Sequence, residues 1–77
     1  MVQAYILVQT EVGMAGRVAE AVSKFDGVLR VDTVTGPYDV VVLTEAATID
    51  QPVAEMVSRV QRVAGVTRTL TCSILHL

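Results

Sequence analysis

The pattern Gly-Val-x-Arg occurs twice, as Gly27-Val28-Leu29-Arg30 and as Gly65-Val66-Thr67-Arg68, and each copy follows a stretch with helical period. In the first stretch Ala15, Val18, Ala19, Val22 and Phe25 recur at helical spacing. In the second, Val53, Met56, Val57, Val60 and Val63 do the same. Each set is one apolar stripe on an amphipathic helix. Arg17, Glu20, Ser23 and Lys24 occupy the opposite face of one; Glu55, Ser58, Arg59 and Arg62 occupy that of the other. Gly27 and Gly65 stand where a left-handed residue caps a helix C-terminus. Asp50 suits an N-cap, with Pro52 tolerated in the first turn. Gly13 and Gly16 leave the start of the first helix open.

Around the two helices lie windows rich in Val, Ile and Thr, at residues 2–9, 28–35, 39–45 and 66–75, which read as strands. The order is β-α-β-β-α-β, two similar halves joined by a hairpin at Gly36-Pro37-Tyr38-Asp39. That order predicts an α+β chain of the split β-α-β, ferredoxin-like kind. Right-handed crossovers place both helices on one face of a four-stranded antiparallel sheet. The other face then needs a cover. In the first strand Val2, Ala4, Ile6 and Val8 share one side, while Tyr5 and Leu7, flanked by Gln3 and Gln9, share the other. The third strand is apolar on both sides, through Val40 and Val42 and through Val41 and Leu43. Strands apolar on both faces are covered on both. A second copy packed sheet to sheet, as a two-fold dimer, meets that need.

Composition supports this. The chain has 77 residues, 52% of them hydrophobic and 18% charged, with a mean hydropathy of +0.54. It makes one domain, and a domain this small hides only roughly 60% of its unfolded surface. The surplus apolar surface requires a partner, and disorder is excluded. The net charge is −2, with the six basic residues scattered singly, so the chain lacks a basic stripe for gripping nucleic acid by itself. The lone Cys72 excludes an internal disulfide and a cysteine-built metal site, and fits a cytoplasmic setting. The N-terminus has no basic leader, the run Tyr5-Ile6-Leu7-Val8 is too short for a signal peptide, and nothing approaches a membrane span.

Signals for catalysis are weak. There is no G-x-S-x-G, no Walker loop and no H-E-x-x-H. His76, the one histidine, is next to last and reads as a solvated terminal side chain. Cys72 alternates with Leu70 and Ile74 and reads as a small buried hydrophobe. Glu11, Asp32, Asp39 and Glu45 lack a metal-ligand spacing, and no cofactor or metal is expected. Met14 and Met56 follow the helical stripes as core residues. Thr67, Thr69, Thr71 and Ser73 alternate, so their hydroxyls line one side of the last strand, either as a plain polar face or as a wall of a small-molecule pocket.

The segment Gly36-Pro37-Tyr38-Asp39 before Val40-Val41-Val42-Leu43 carries the strongest chemical suggestion. It is a tight hairpin in which free turn amides stand beside a carboxylate. Such a pair can hold both ends of a zwitterion, the amides taking an α-carboxylate and Asp39 an α-ammonium. Together, Thr35-Gly36-Pro37-Tyr38-Asp39 before an apolar strand and Gly65-Val66-Thr67-Arg68-Thr69-Leu70-Thr71 in the last one resemble the effector-binding (RAM) domain of the leucine-responsive regulatory protein family, Lrp/AsnC. The resemblance spans residues 1–77 as a single domain. It implies the ferredoxin-like order, sheet-to-sheet dimers, and rings of dimers, commonly octamers or decamers. It implies amino-acid effectors held between dimers by the turn before the third strand and a neighbour's last strand. Residue by residue, the implied ligand-binding set is Thr33, Gly36, Tyr38, Asp39, Thr71, Cys72, Ser73 and Ile74.

Full members of that family also carry a helix-turn-helix before this domain, and the 77 residues here are expected to include none. The expectation is thus a stand-alone RAM domain, or a fragment of a longer protein, that binds no nucleic acid or membrane directly and modulates full-length Lrp/AsnC regulators. Two other classes stay open: a pure assembly module without a ligand, and a small dimeric ferredoxin-like enzyme, disfavoured by one histidine and no tryptophan. An ACT domain shares the strand order, but Glu11-Val12-Gly13-Met14 stands where its Asp-x-Pro-Gly loop belongs.

Overall fold

The computed structural model describes residues 2–46 and 53–75. The elements run β1 (Val2–Thr10), α1 (Ala15–Ser23), β2 (Val28–Thr33), β3 (Val40–Ala46), α2 (Val53–Gln61) and β4 (Val66–Ser73). The strands form one antiparallel sheet in the order β2-β3-β1-β4. This is the expected ferredoxin-like arrangement. Asp50, Pro52 and His76 lie outside the described residues.

The core lies between the sheet and both helices. Ile6 and Val8 of β1, Val40 and Val42 of β3, Val18 and Val22 of α1, and Val60 of α2 are fully buried. Ile6 stands opposite Val42 and Val8 opposite Val40, so one sheet face meets the helices. The stripe residues Ala15, Ala19, Phe25, Met56, Val57 and Val63 pack around this cluster, as does Met14. Thr44, buried in the same face, donates its hydroxyl to the Ala4 carbonyl at 3.3 Å.

The sequence repeat is a structural repeat. Gly27 and Gly65 have φ of +90° and +98°. Each lends its carbonyl to a neighbouring strand: the Glu45 N–H donates to Gly27 at 2.7 Å, and the Glu11 N–H to Gly65 at 2.8 Å. The third residue of each pattern is then extra. Val28 and Arg30 face Thr44 and Leu43, leaving Leu29 bulged. Val66 and Arg68 face Thr10 and Gln9, leaving Thr67 bulged. These glycines are not the helix caps that the sequence suggests. α1 ends at Ser23 with the right-handed Lys24 as its cap, and α2 ends at Gln61. Both helices close instead with backbone bonds three residues long, such as Phe25 N–H to Val22 and Val63 N–H to Val60. The left-handed glycines turn the chain from that frayed end into the next strand.

The second and fourth strands are shorter than their sequence windows. β2 stops at Thr33 because Val34 N–H bonds the Asp39 carbonyl at 2.9 Å and closes the turn. β4 stops at Ser73, after which Ile74 N–H still reaches the Gln3 carbonyl at 2.9 Å.

The sheet face away from the helices carries Tyr5 and Leu7 in its middle strand, opposite Leu43 and Val41 on one side and Cys72 and Leu70 on the other. Tyr5 and Leu70 are 43% and 48% exposed. Polar groups edge the patch, among them the Gln3–Glu45 hydrogen bond and the Arg30–Asp32 ion pair at 2.8 Å. Cys72 is exposed here, contrary to its reading as a buried hydrophobe. The alternation with Leu70 holds, but the side shared by the pair is the uncovered one.

Candidate functional site

The hairpin Val34–Asp39 joins two neighbouring strands and is bolted to the end of a third. Asp39 N–H donates to the Val8 carbonyl at 2.9 Å, and Gln9 Nε2 donates to the Pro37 carbonyl at 3.0 Å. The Asp39 carboxylate, half-buried, takes the Thr10 N–H on Oδ2 at 2.8 Å and the Thr10 hydroxyl on the same atom at 3.3 Å. β1 ends there with its Thr10 N–H turned toward β3, whose ladder has already given way to the turn. The carboxylate satisfies a donor that would otherwise lack a partner. No protein donor among the described residues reaches Oδ1, and none of the turn amides of Thr35, Gly36 and Tyr38 has a protein acceptor there.

Gly36 has φ of +137°, a conformation that disfavours a side chain, and nothing lies within 4 Å of where its Cβ would be. The backbone is therefore open on that side. Tyr38 is half-buried beside it, and Thr33, exposed, sits opposite Val40 at the end of β2.

The second group of expected ligand residues is elsewhere. Thr71 and Ser73 pair with Ile6 and Ala4, on the helix side of the sheet, and are exposed. Cys72 pairs with Tyr5 on the bare side, and Ile74 follows the strand. The hydroxyl row is also divided. Thr67 donates to the Gln9 carbonyl at 3.1 Å, and Thr69 accepts from Gln61 Nε2 at 2.9 Å. Thr71 and Ser73 have no such partner among the described residues.

Within one chain the two groups are far apart. The turn attaches at Val8 and Gln9, and Ile74 attaches at Gln3. For Ile74 the separation is five residues of extended strand, about 17 Å at the usual rise, and for Thr71, opposite Ile6, it is two residues, about 7 Å. The groups also flank β1 on opposite sides. Thr33, Gly36, Tyr38 and Asp39 are brought together; Thr71, Cys72, Ser73 and Ile74 form a separate edge. Two residues that tie the turn down, Gln9 and Thr10, escape a reading of the sequence. Their contacts reach across 28 and 29 residues, and no local pattern marks them.

The other acidic groups form no centre. Asp32 pairs with Arg30, Glu45 accepts from Gln3, and Glu11 is exposed. The described residues contain no cluster able to hold a metal ion, and no helix among them is long and apolar enough to cross a membrane.

Residues 3–76 match the family model described as the Lrp/AsnC ligand binding domain. The chain belongs to the Lrp/AsnC family. Among solved structures, TTHA0845 from Thermus thermophilus is 27% identical, with a TM-score of 0.89 over 100% of this chain and 96% of its own. The hypothetical protein PHS023 from Pyrococcus horikoshii is 25% identical, with a TM-score of 0.85 over 100% and 93%. The transcriptional regulator NMB0573 from Neisseria meningitidis, solved as a complex with L-Met, shares the fold at 21% identity and a TM-score of 0.76 over 97% of this chain and 50% of its own. A search of curated proteins found no match. The Lrp/AsnC match makes this a ligand-binding domain of a regulatory family.

Proposed function

We propose that this Lrp/AsnC domain senses an amino acid at the boundary between two copies of itself. The separation of the two halves of the site carries this reading. The turn offers an acceptor, Asp39 Oδ1, beside the free amides of Thr35, Gly36 and Tyr38, which is a complement for an α-ammonium and an α-carboxylate. Thr71 and Ser73 offer hydroxyls on β4, two strands across the sheet from the turn and two to four residues along β1 from its attachment at Val8, so one small ligand meets both only when a second chain supplies one of them. The L-Met bound to NMB0573 is consistent with an amino-acid effector.

The bare sheet face supports a two-fold dimer through Tyr5, Leu7, Val41, Leu43 and Leu70. Dimers then join through the effector sites into a ring, an octamer or decamer on the family resemblance, in the cytoplasm. Effector and assembly are reciprocally linked, since a ligand that favours the ring binds the ring more tightly. A stand-alone domain of this kind would reach DNA by contact with full-length Lrp/AsnC regulators.

Isothermal titration with a panel of amino acids, run alongside light scattering, tests the reading. The expected result is binding of at least one amino acid with a change in mass, abolished by Asp39→Ala. A pure assembly module is the competing reading, and the engagement of Asp39 Oδ2 by Thr10 favours it. It predicts a fixed mass indifferent to every amino acid at millimolar concentration.

A further inference from the structure

We infer that Thr10 is a positioning residue for effector recognition, acting through Asp39; this rests on the amino-acid reading above. Both donors of Thr10 converge on one carboxylate oxygen, the N–H at 2.8 Å and the hydroxyl at 3.3 Å. A carboxylate held by one donor can still swing about that bond. Two donors from one residue fix its direction, and they leave Oδ1 as the oxygen presented to a ligand. The N–H alone already satisfies the end of the strand, so the hydroxyl is surplus to the fold. Its effect is to orient.

The surroundings support this assignment. The Asp39 backbone is itself clamped, its N–H on the Val8 carbonyl and its carbonyl accepting from Val34 N–H, both at 2.9 Å. Only the side-chain torsions of Asp39 are left to set, and Thr10 sets them. Glu11, the next residue, binds Gly65 through its N–H at 2.8 Å, so Thr10 stands on a strand end held from both sides. An aimed acceptor discriminates an ammonium from its absence more sharply than a mobile one, because the ordering cost is met before the ligand arrives. Thr10 therefore governs selectivity for the amino group of the effector, while leaving recognition of the carboxylate to the turn amides.

The test compares an amino acid that binds with its matched carboxylic acid lacking the amino group. Both are titrated into the wild-type chain, Thr10→Val and Thr10→Ser. Valine keeps the shape and the N–H but loses the hydroxyl; serine restores it. The wild type should prefer the amino acid. Thr10→Val should shrink that preference by roughly three- to tenfold, the span of one hydrogen bond, and Thr10→Ser should recover it. Equal weakening of both ligands in Thr10→Val, or an unchanged preference, would overturn the role of Thr10 while sparing the amino-acid reading. Equal binding of both ligands by the wild type would overturn Thr10 and Asp39 together. No binding of any amino acid would overturn the broader reading and this inference with it.

Discussion

Gly27→Ala should cost this chain a large part of its stability, and the reason can be worked from two contacts. Gly27 has φ of +90°, so any side chain meets the penalty of the left-handed region, about 1–2 kcal/mol. The added Cβ would also lie 3.0 Å from the Glu45 carbonyl oxygen and 3.1 Å from Met56 Cε. The methionine end can move aside. The carbonyl cannot easily do so, because the Glu45 N–H is tied to the Gly27 carbonyl at 2.7 Å and any retreat strains that bond. Loss of such a bond adds about 1 kcal/mol, for a sum of about 2–3 kcal/mol. A chain of 77 residues has about 4–12 kcal/mol in total. Gly13 is the control, since it has φ of +80° with nothing within 4 Å of a Cβ, and Gly13→Ala should cost only the conformational term. Gly65→Ala falls between them, because its obstacle is the Met14 side chain, with Cβ and Cε both at 3.0 Å. Urea unfolding followed by far-ultraviolet circular dichroism, at one fixed protein concentration, gives all three values. Equal losses for Gly27→Ala and Gly13→Ala would refute the claim that the strand-entry turn is sterically closed.

Leu43→Asp places a charge at the centre of the bare sheet face, opposite Tyr5, and should halve the mass in analytical ultracentrifugation with the helical signal intact. Retention of the wild-type mass would remove that face from the assembly. Ile6→Ala empties a fully buried position between the helices and should cost about 2–5 kcal/mol in the same urea assay. Glu55→Gln breaks an ion pair with Arg59 at 3.1 Å whose partners are 47% and 41% exposed, and should change stability by less than about 1 kcal/mol.

The sheet, the helices and the bare face follow from periodicity because each is a statement about which side of an element meets water. Val18, Val22 and Val60 are buried where helical spacing puts them, and Tyr5 and Leu43 face outward where alternation puts them. Alternation also groups Cys72 with Leu70. It cannot say which side the helices cover, since the period is the same for both sides, so the burial of Cys72 comes out reversed. The repeat Gly-Val-x-Arg is visible as a pattern, but its purpose is not. Register is a property of two strands, and the bulges at Leu29 and Thr67 exist only once β3 and β1 lie alongside.

The same distinction governs the proposed effector site. The turn is contiguous, so its glycine, its proline and its aspartate announce themselves within a few residues. Thr10 joins it only through a contact spanning 29 residues, at a strand end with no composition of its own. The partner edge at Thr71 and Ser73 is more remote still, because within one chain it never meets the turn at all. A site divided in this way has a consequence for its regulation. On the proposed reading, a lone chain would hold the ligand by the turn or by the edge but not by both, so the monomer should bind weakly and tight binding should require assembly. The proposal thus makes the ligand and the second copy each a condition for the other, which is the arrangement a concentration-dependent switch requires.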